Sequence, residues 1–173
     1  VPRVVSSDVL PVTEPLLGGR TPAPEDIERW IRAYLSHAPL SLVLREINRL
    51  IAVETVASGE GPVLDVGCGD GFWWTLRGAD NRHVYGIDIS AREVAQARTR
   101  IHATLTDVSR ERPFPATEFA EIIGNCSLEH VPDIDAALGN LREAAAPNAR
   151  LLMFVPTPRW ALQGRLQSWL LRR

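Results

Sequence analysis

Val63-Leu-Asp-Val-Gly-Cys-Gly-Asp-Gly-Phe-Trp-Trp74 decides the fold of this chain. The short apolar run from Pro62 to Val66 predicts a buried strand, and it breaks abruptly into Gly67, Gly69 and Gly71. Glycines at every second position exclude both a continuing strand and a helix interior. They suit a tight turn whose backbone, free of Cβ atoms, a ligand approaches closely. Phe72 to Leu76 then resumes as a helix, so the unit is strand, glycine loop, helix, which predicts a nucleotide-type site in a βαβ fold. The spacing narrows the nucleotide. A dinucleotide fingerprint needs G-x-G-x-x-G, whereas here the third glycine comes one residue early and Phe72 stands in its place.

Downstream, His83-Val-Tyr-Gly-Ile-Asp-Ile89 predicts a second strand that ends in an acidic residue. Asp88 lies 23 positions after Asp65, close to the ~20-residue spacing at which a carboxylate meets a ribose in such folds. An acceptor-only group is what two vicinal hydroxyls need. Ser90-Ala-Arg-Glu93 reads as a capping box that starts a helix directly behind Asp88. A third strand is expected over Arg100 to Leu105, ending near Asp107, and a fourth over Ala120 to Gly124 after the Pro113-to-Phe119 loop. Asn125-Cys-Ser-Leu-Glu-His-Val-Pro132 follows at the carboxyl end of that strand, where open α/β sheets hold their ligands. A helix over Asp133 to Ala146 and a fifth strand over Arg150 to Val155 complete the series. Strands alternating with helices predict a Rossmann-like, mostly parallel sheet with helices on both faces.

Composition bounds the partners. The 173 residues fit one domain. A net charge of -2 and a pI near 6.1 supply no basic field for nucleic acid or anionic lipid. All 19 basic residues are Arg, which excludes chemistry that needs a lysine nucleophile or Schiff base. Cys68 and Cys126 sit far apart without metal-ligand spacing, so no metal site is expected and a reducing cytoplasm is the expected location. Neither a signal peptide nor an 18-residue apolar span is visible. Val1 need not be the native start.

Residues 1–22 read as an extended arm and 23–58 as two helices ahead of the sheet. The first has Pro22 and Pro24 at its start and an apolar stripe of Ile27, Trp30, Ile31, Tyr34 and Leu35. The second runs from about Leu40 to Val56 with Val43, Leu44, Ile47, Leu50 and Ile51 inward. Packing on the sheet is the expected role of both, with His37 on the surface and Trp30 and Tyr34 as candidates to line a lid. Residues 59–156 form the predicted ligand-binding core. Residues 157–173 read as a C-terminal amphipathic helix carrying Arg159, Arg165, Arg172 and Arg173 without an acidic partner. That pattern fits a helix lacking its packing partner in a longer chain better than a membrane-surface helix.

Over residues 62–156 the chain resembles the class I S-adenosylmethionine-dependent methyltransferases. Asp65-x-Gly67-x-Gly69-x-Gly71 is similar to their first motif. Asp107, Pro113-Phe-Pro115 with Phe119, and Leu128-Glu-His-Val131 look like the small-molecule enzymes related to quinone and sterol methylases. The resemblance implies S-adenosyl-L-methionine as cofactor. Asp65 and the Gly67, Cys68, Gly69 and Gly71 backbone would hold its methionine end, Asp88 the ribose, Ile89 the adenine face, Asp107 with Val108 the adenine edge, and Asn125 the methyl-sulfonium end. It implies in-line transfer of a methyl group to a small-molecule acceptor, with His130 beside the methyl as the candidate general base. It also implies seven strands, so five strand signals lead us to expect a C-terminally truncated fold without the final hairpin. Ala120 and Pro147-Asn148-Ala149 stand where the family has Asp and Pro-Gly-Gly, so the turn before the fifth strand should differ. Two other readings stay open: a catalytically silent methyltransferase-like binding module, and a nicotinamide-dependent oxidoreductase. The acceptor, the atom methylated and the oligomeric state are not written in the sequence.

Overall fold

A computed structural model describes residues 21–37, 61–76 and 81–155, together with Val43, Glu46, Ile47, Leu50, Ile51 and Glu54, which are helical. The expected arm and C-terminal helix lie outside the described residues, apart from positions 21 and 22. Helix α1 spans Pro24–Leu35, with Pro24 at its first turn and Glu25 and Asp26 at its positive end. Strand β1 is Val63–Val66 and leads through the glycine loop into the single turn α2, Phe72–Thr75. Then come β2 (Val84–Asp88), α3 (Ala91–Ala97), β3 (His102–Leu105) and β4 (Phe119–Asn125). A 3-10 turn at Leu128–His130 leads to α4 (Ile134–Ala144) and β5 (Ala145–Phe154).

The strands form one parallel sheet in the order β3-β2-β1-β4-β5. The chain winds outward from β1 to β3, then crosses back to lay β4 on the other side of β1. That reversal opens a crevice between the carboxyl ends of β1 and β4, the place where open α/β sheets bind ligands. Because side chains alternate along a strand, the sheet feeds two cores. Val63, Val84 and Ile123 join Trp30, Val43, Leu50, Trp73 and Trp74 on the face covered by the N-terminal helices, α2 and α3. Leu64, Val66, Ile87 and Ile122 join Ala137, Leu141 and Ala144 of α4 on the other. Trp30, Trp74 and Leu50 are wholly buried, and each such side chain removed from water stabilises the fold by about 1.5–3 kcal/mol.

Local chemistry explains the element ends. Ser90 caps α3 by accepting from the Glu93 backbone N–H at 3.4 Å, and Asp133 caps α4 by accepting from Ala136 N–H at 3.0 Å. Before the fifth strand, the left-handed conformation falls on Asn148 (φ 64), so Ala149 is spared it. The strand also opens with a bulge. Pairing with β4 jumps from Phe119↔Ala145 to Glu121↔Arg150, and β5 therefore begins five residues before Arg150. Glu121, 1% exposed, forms an ion pair with Arg150 across these two strands. Among the described residues no helix is long and apolar enough to cross a membrane.

Candidate functional site

Gly67 is the hinge of the site. Its φ is +76, and a Cβ there would sit 2.5 Å from the Ser127 Cβ, so only glycine lets the β1 end and the β4 end approach this closely. The loop is fastened from both sides. Gly67 and Cys68 donate their backbone N–H groups to the Ile87 carbonyl at 2.8 and 3.0 Å. Gly69 N–H donates to Asp88 Oδ2 at 3.0 Å, and Ser90 N–H to Asp88 Oδ1 at 2.8 Å. The strand-end aspartate thus holds the glycine loop directly, and each of its oxygens keeps capacity for a further donor.

Two cavities open on this seam, and Gly67 and Cys126 line both. One, about 370 Å³, is walled by Val66, Ile87, Ile89 and Val108, with Asp88, Asp107, Ser127 and His130 at its polar points. The other, about 460 Å³, takes Cys68, Gly69 and Asp70 from the loop, Arg92, Glu93 and Gln96 from α3, and Asn125 from β4. Its outer wall comes from the N-terminal helices: Tyr34, His37 and Glu46.

Beneath the loop lies Asp65, 5% exposed, accepting from the Trp74 indole N–H at 2.6 Å. Burial pushes its carboxyl up to about 7, against the opposing pull of that hydrogen bond and helped by the nearby Asp88 and Glu46 charges. Burial likewise pushes the Cys68 thiol far above its ordinary range, so it is no thiolate nucleophile. Its sulfur packs where a Cβ on Gly86 would stand, 2.6 Å away, which makes Cys68 a space-filling residue of the loop. Asp107 is shifted the other way. The Ser109 hydroxyl and backbone N–H both donate to its Oδ1, at 2.6 and 3.0 Å, and hold it below the usual carboxylate range, with Arg110 at 3.1 Å from Oδ2.

Most of the expected site residues line one of these two cavities. Gly67, Cys68, Gly69 and Asn125 line the larger cavity and Gly67, Asp88, Ile89, Asp107 and Val108 the smaller, while Asp65 and Gly71 line neither. His130 is exposed and lines the smaller cavity, not the one bounded by the N-terminal helices. Four contributors escaped the sequence reading. His37 stands at the surface as expected, yet it also lines the larger cavity, 3.2 Å from Asp70. Glu46, 6% exposed, accepts from Asn125 Nδ2 at 2.8 Å. Arg92 and Gln96 look into the same space from α3. A signal existed for Glu46: it lies three residues after Val43, on the helix's buried stripe, where an acid needs a polar reason to be.

An α/β domain with a glycine loop at its switch point and a strand-end carboxylate beside it is, as a class, a nucleoside-cofactor-binding domain. The family model described as a methyltransferase domain matches residues 32–173, and the chain belongs to that family. An uncharacterized methyltransferase of Mycobacterium tuberculosis is 30% identical over 104 residues, 56% of this chain and 51% of the relative. The chain thus spans about half the length of the curated relatives it matches. Among solved structures, the PH0226 protein of Pyrococcus horikoshii aligns with a TM-score of 0.58 at 21% identity, over 80% of this chain and 61% of that one. The S-adenosylmethionine-bound amino pentose methyltransferase CalS10 of Micromonospora echinaspora, involved in calicheamicin biosynthesis, gives 0.56 at 17% identity, over 74% and 56%. Those structures share the fold. The cofactor of this domain is S-adenosylmethionine, and the crevice fits it. The buried Asn125 Oδ1 and Ser127 Oγ, one on each cavity wall, have no hydrogen-bond partner among the described residues, and Asp70, Asp88 and Glu46 put carboxylates on the walls for a cationic ligand.

Proposed function

We propose that this domain transfers a methyl group from S-adenosylmethionine to a small-molecule acceptor by in-line displacement. The observation that carries the reading is the adjacency of the two cavities, which share Gly67 and Cys126 as lining: one apolar lobe with a carboxylate at its rim and one polar lobe beside it. The cofactor supplies an electrophilic methyl carbon whose leaving group is already activated by positive charge. The chain's own work is therefore binding, orientation and exclusion of water.

In this reading Asp88 accepts from the ribose hydroxyls while it anchors the loop through Gly69. Ile89 and Val108 cover the adenine faces, and Asp107, already fixed by Ser109, accepts at the adenine edge. The Gly67, Cys68, Gly69 and Gly71 backbone, with Asp65 beneath it, holds the amino-acid end. Asn125 faces the transferred methyl and His130 flanks it. Tyr34, His37 and Glu46 close the polar lobe over the acceptor, so that the acceptor's nucleophile waits at roughly 3–3.5 Å with water excluded.

Calorimetric titration with S-adenosylmethionine, S-adenosylhomocysteine and NADH in parallel tests the reading. The two sulfur ligands should bind and NADH should not. Asp88→Ala should weaken S-adenosylhomocysteine by about 1.5–3 kcal/mol, the worth of hydrogen bonds to a charged group. Equal binding by the mutant would refute the ribose assignment.

A further inference from the structure

We propose that His37, oriented by Asp70, is the proton acceptor at the acceptor end of the site, and that the acceptor reacts through an O–H or N–H group. This rests on the methyl-transfer reading above and adds a base and a substrate class to it.

His37 is held on several sides. Its Nε2 lies 3.2 Å from Asp70 Oδ2. Its ring stacks on Phe72 with centroids 3.8 Å apart and planes 10° from parallel, and Tyr34 meets it edge-on at 6.0 Å. Asp70 is itself fixed. Phe72 N–H donates to its Oδ1 at 3.0 Å, and Arg100 approaches its Oδ2 at 3.3 Å while also bonding its carbonyl. Arg100 in turn lies 5.8 Å over the Phe72 ring. The other charged groups on the same cavity are Glu46, Arg92 and Glu93.

With Nε2 facing the Asp70 carboxylate, the neutral ring that keeps its proton on Nε2 carries its lone pair on Nδ1. A base oriented by a third, fixed group is the arrangement general-base catalysis uses. His130 offers a contrast: its ring makes no hydrogen bond among the described residues, and it borders the apolar lobe. A carbon nucleophile with no acidic proton has no use for such a pair. An O–H or N–H acceptor does. As its oxygen or nitrogen forms the bond to the methyl carbon, its proton passes to His37 Nδ1. The methyl–sulfur bond breaks with its electron pair left on sulfur, which becomes a neutral thioether, and the new imidazolium stands opposite the Asp70 carboxylate.

The test uses the whole chain with 15N-labelled histidine and saturating S-adenosylhomocysteine. Long-range 1H–15N correlation should show His37 fixed as the Nε2–H tautomer with an unprotonated Nδ1, and His130 averaging between forms. Methyl transfer from labelled S-adenosylmethionine to tyramine, which offers a phenol and an amine, and to catechol is measured alongside. His37→Gln should lower it about 10²–10⁴-fold and remove the acid limb of its pH profile, with S-adenosylhomocysteine affinity kept within about two-fold. Failure of the wild-type chain to bind S-adenosylhomocysteine sinks the methyl-transfer reading itself. Binding with a His37 ring that is Nδ1-protonated or freely averaging overturns this inference alone, and so does a His37→Gln variant that methylates either probe at the wild-type rate.

Discussion

The two lobes of the crevice are built on different principles. The smaller is made almost wholly from strand ends: Val66 of β1, Ile87 and Asp88 of β2, and residues just past β3 and β4. Strands in a parallel sheet are positioned by their ladders, so these residues arrive in register with little help from packing. The larger lobe borrows one wall from helices that precede the sheet, through Tyr34, His37 and Glu46. What positions that wall is burial of Trp30, Val43 and Leu50 against the face of β1. One lobe is thus a consequence of topology and the other of helix docking. Changes in the loop between them should disturb both, whereas changes in either wall should stay local.

The largest effect is expected where the lobes share a residue. Gly67→Ala forces a side chain onto φ +76 and 2.5 Å from the Ser127 Cβ. Left-handed strain and overpacking together should cost about 2–5 kcal/mol, read from urea denaturation, with loss of S-adenosylhomocysteine binding. Gly69→Ala is the control: its φ is +55 but nothing lies within 4 Å of the added Cβ, so only the conformational cost of about 1–2 kcal/mol applies. Equal penalties for the two would mean the lobes are not joined at Gly67.

Next comes the buried carboxylate beneath the loop. Asp65 carries a folded-state pKa of about 7 against 3.8 in a free side chain. Below about pH 4 both states hold the proton and the group is neutral to stability. Between about 4 and 7 the unfolded chain releases it while the folded chain keeps it, so stability should fall as pH rises. The decline, on the order of 2–4 kcal/mol, is complete above about pH 7. Asp65→Asn keeps an acceptor for the Trp74 indole but cannot ionise. Denaturation at pH 5 and pH 8 should show the variant gaining on the wild type at the higher pH. A parallel pH response in both proteins would remove Asp65 as the source.

The contrast between lobes also explains what was legible in the sequence. The Val63-to-Val66 run, the glycine spacing, the Asp88 offset and the Ser90 cap are local signals, and the apolar lobe follows from them once the strands pair in parallel. His37 carried no such signal, because a histidine just past the end of an amphipathic helix looks like any surface residue until the helix docks against Phe72. Glu46 showed as polar, but its burial depends on which stripe of its helix meets the sheet. The bulge before β5 was hidden too. The Asn148 conformation is a residue preference, whereas the register jump from Ala145 to Arg150 is set by the pairing with β4.

The smallest expected effect separates wall from core within the apolar lobe. Ile89 follows β2 directly and is 77% exposed, although it is among the most apolar residues of the chain and lines the 370 Å³ cavity beside Val66, Ile87 and Val108. A side chain so exposed contributes little to folding, since its methyl groups remain in water. Its value should appear only when an adenine ring covers it. Ile89→Ala is therefore expected to leave stability within about 0.5 kcal/mol of wild type. It should weaken S-adenosylhomocysteine by about 1 kcal/mol, from partial burial of the methyl and methylene groups removed, or roughly five-fold in Kd. The signature is the ratio, affinity lost with stability kept, measured by calorimetry and urea denaturation on one preparation. Stability lost with affinity kept would return Ile89 to the hydrophobic core and leave the adenine face to Val108 alone.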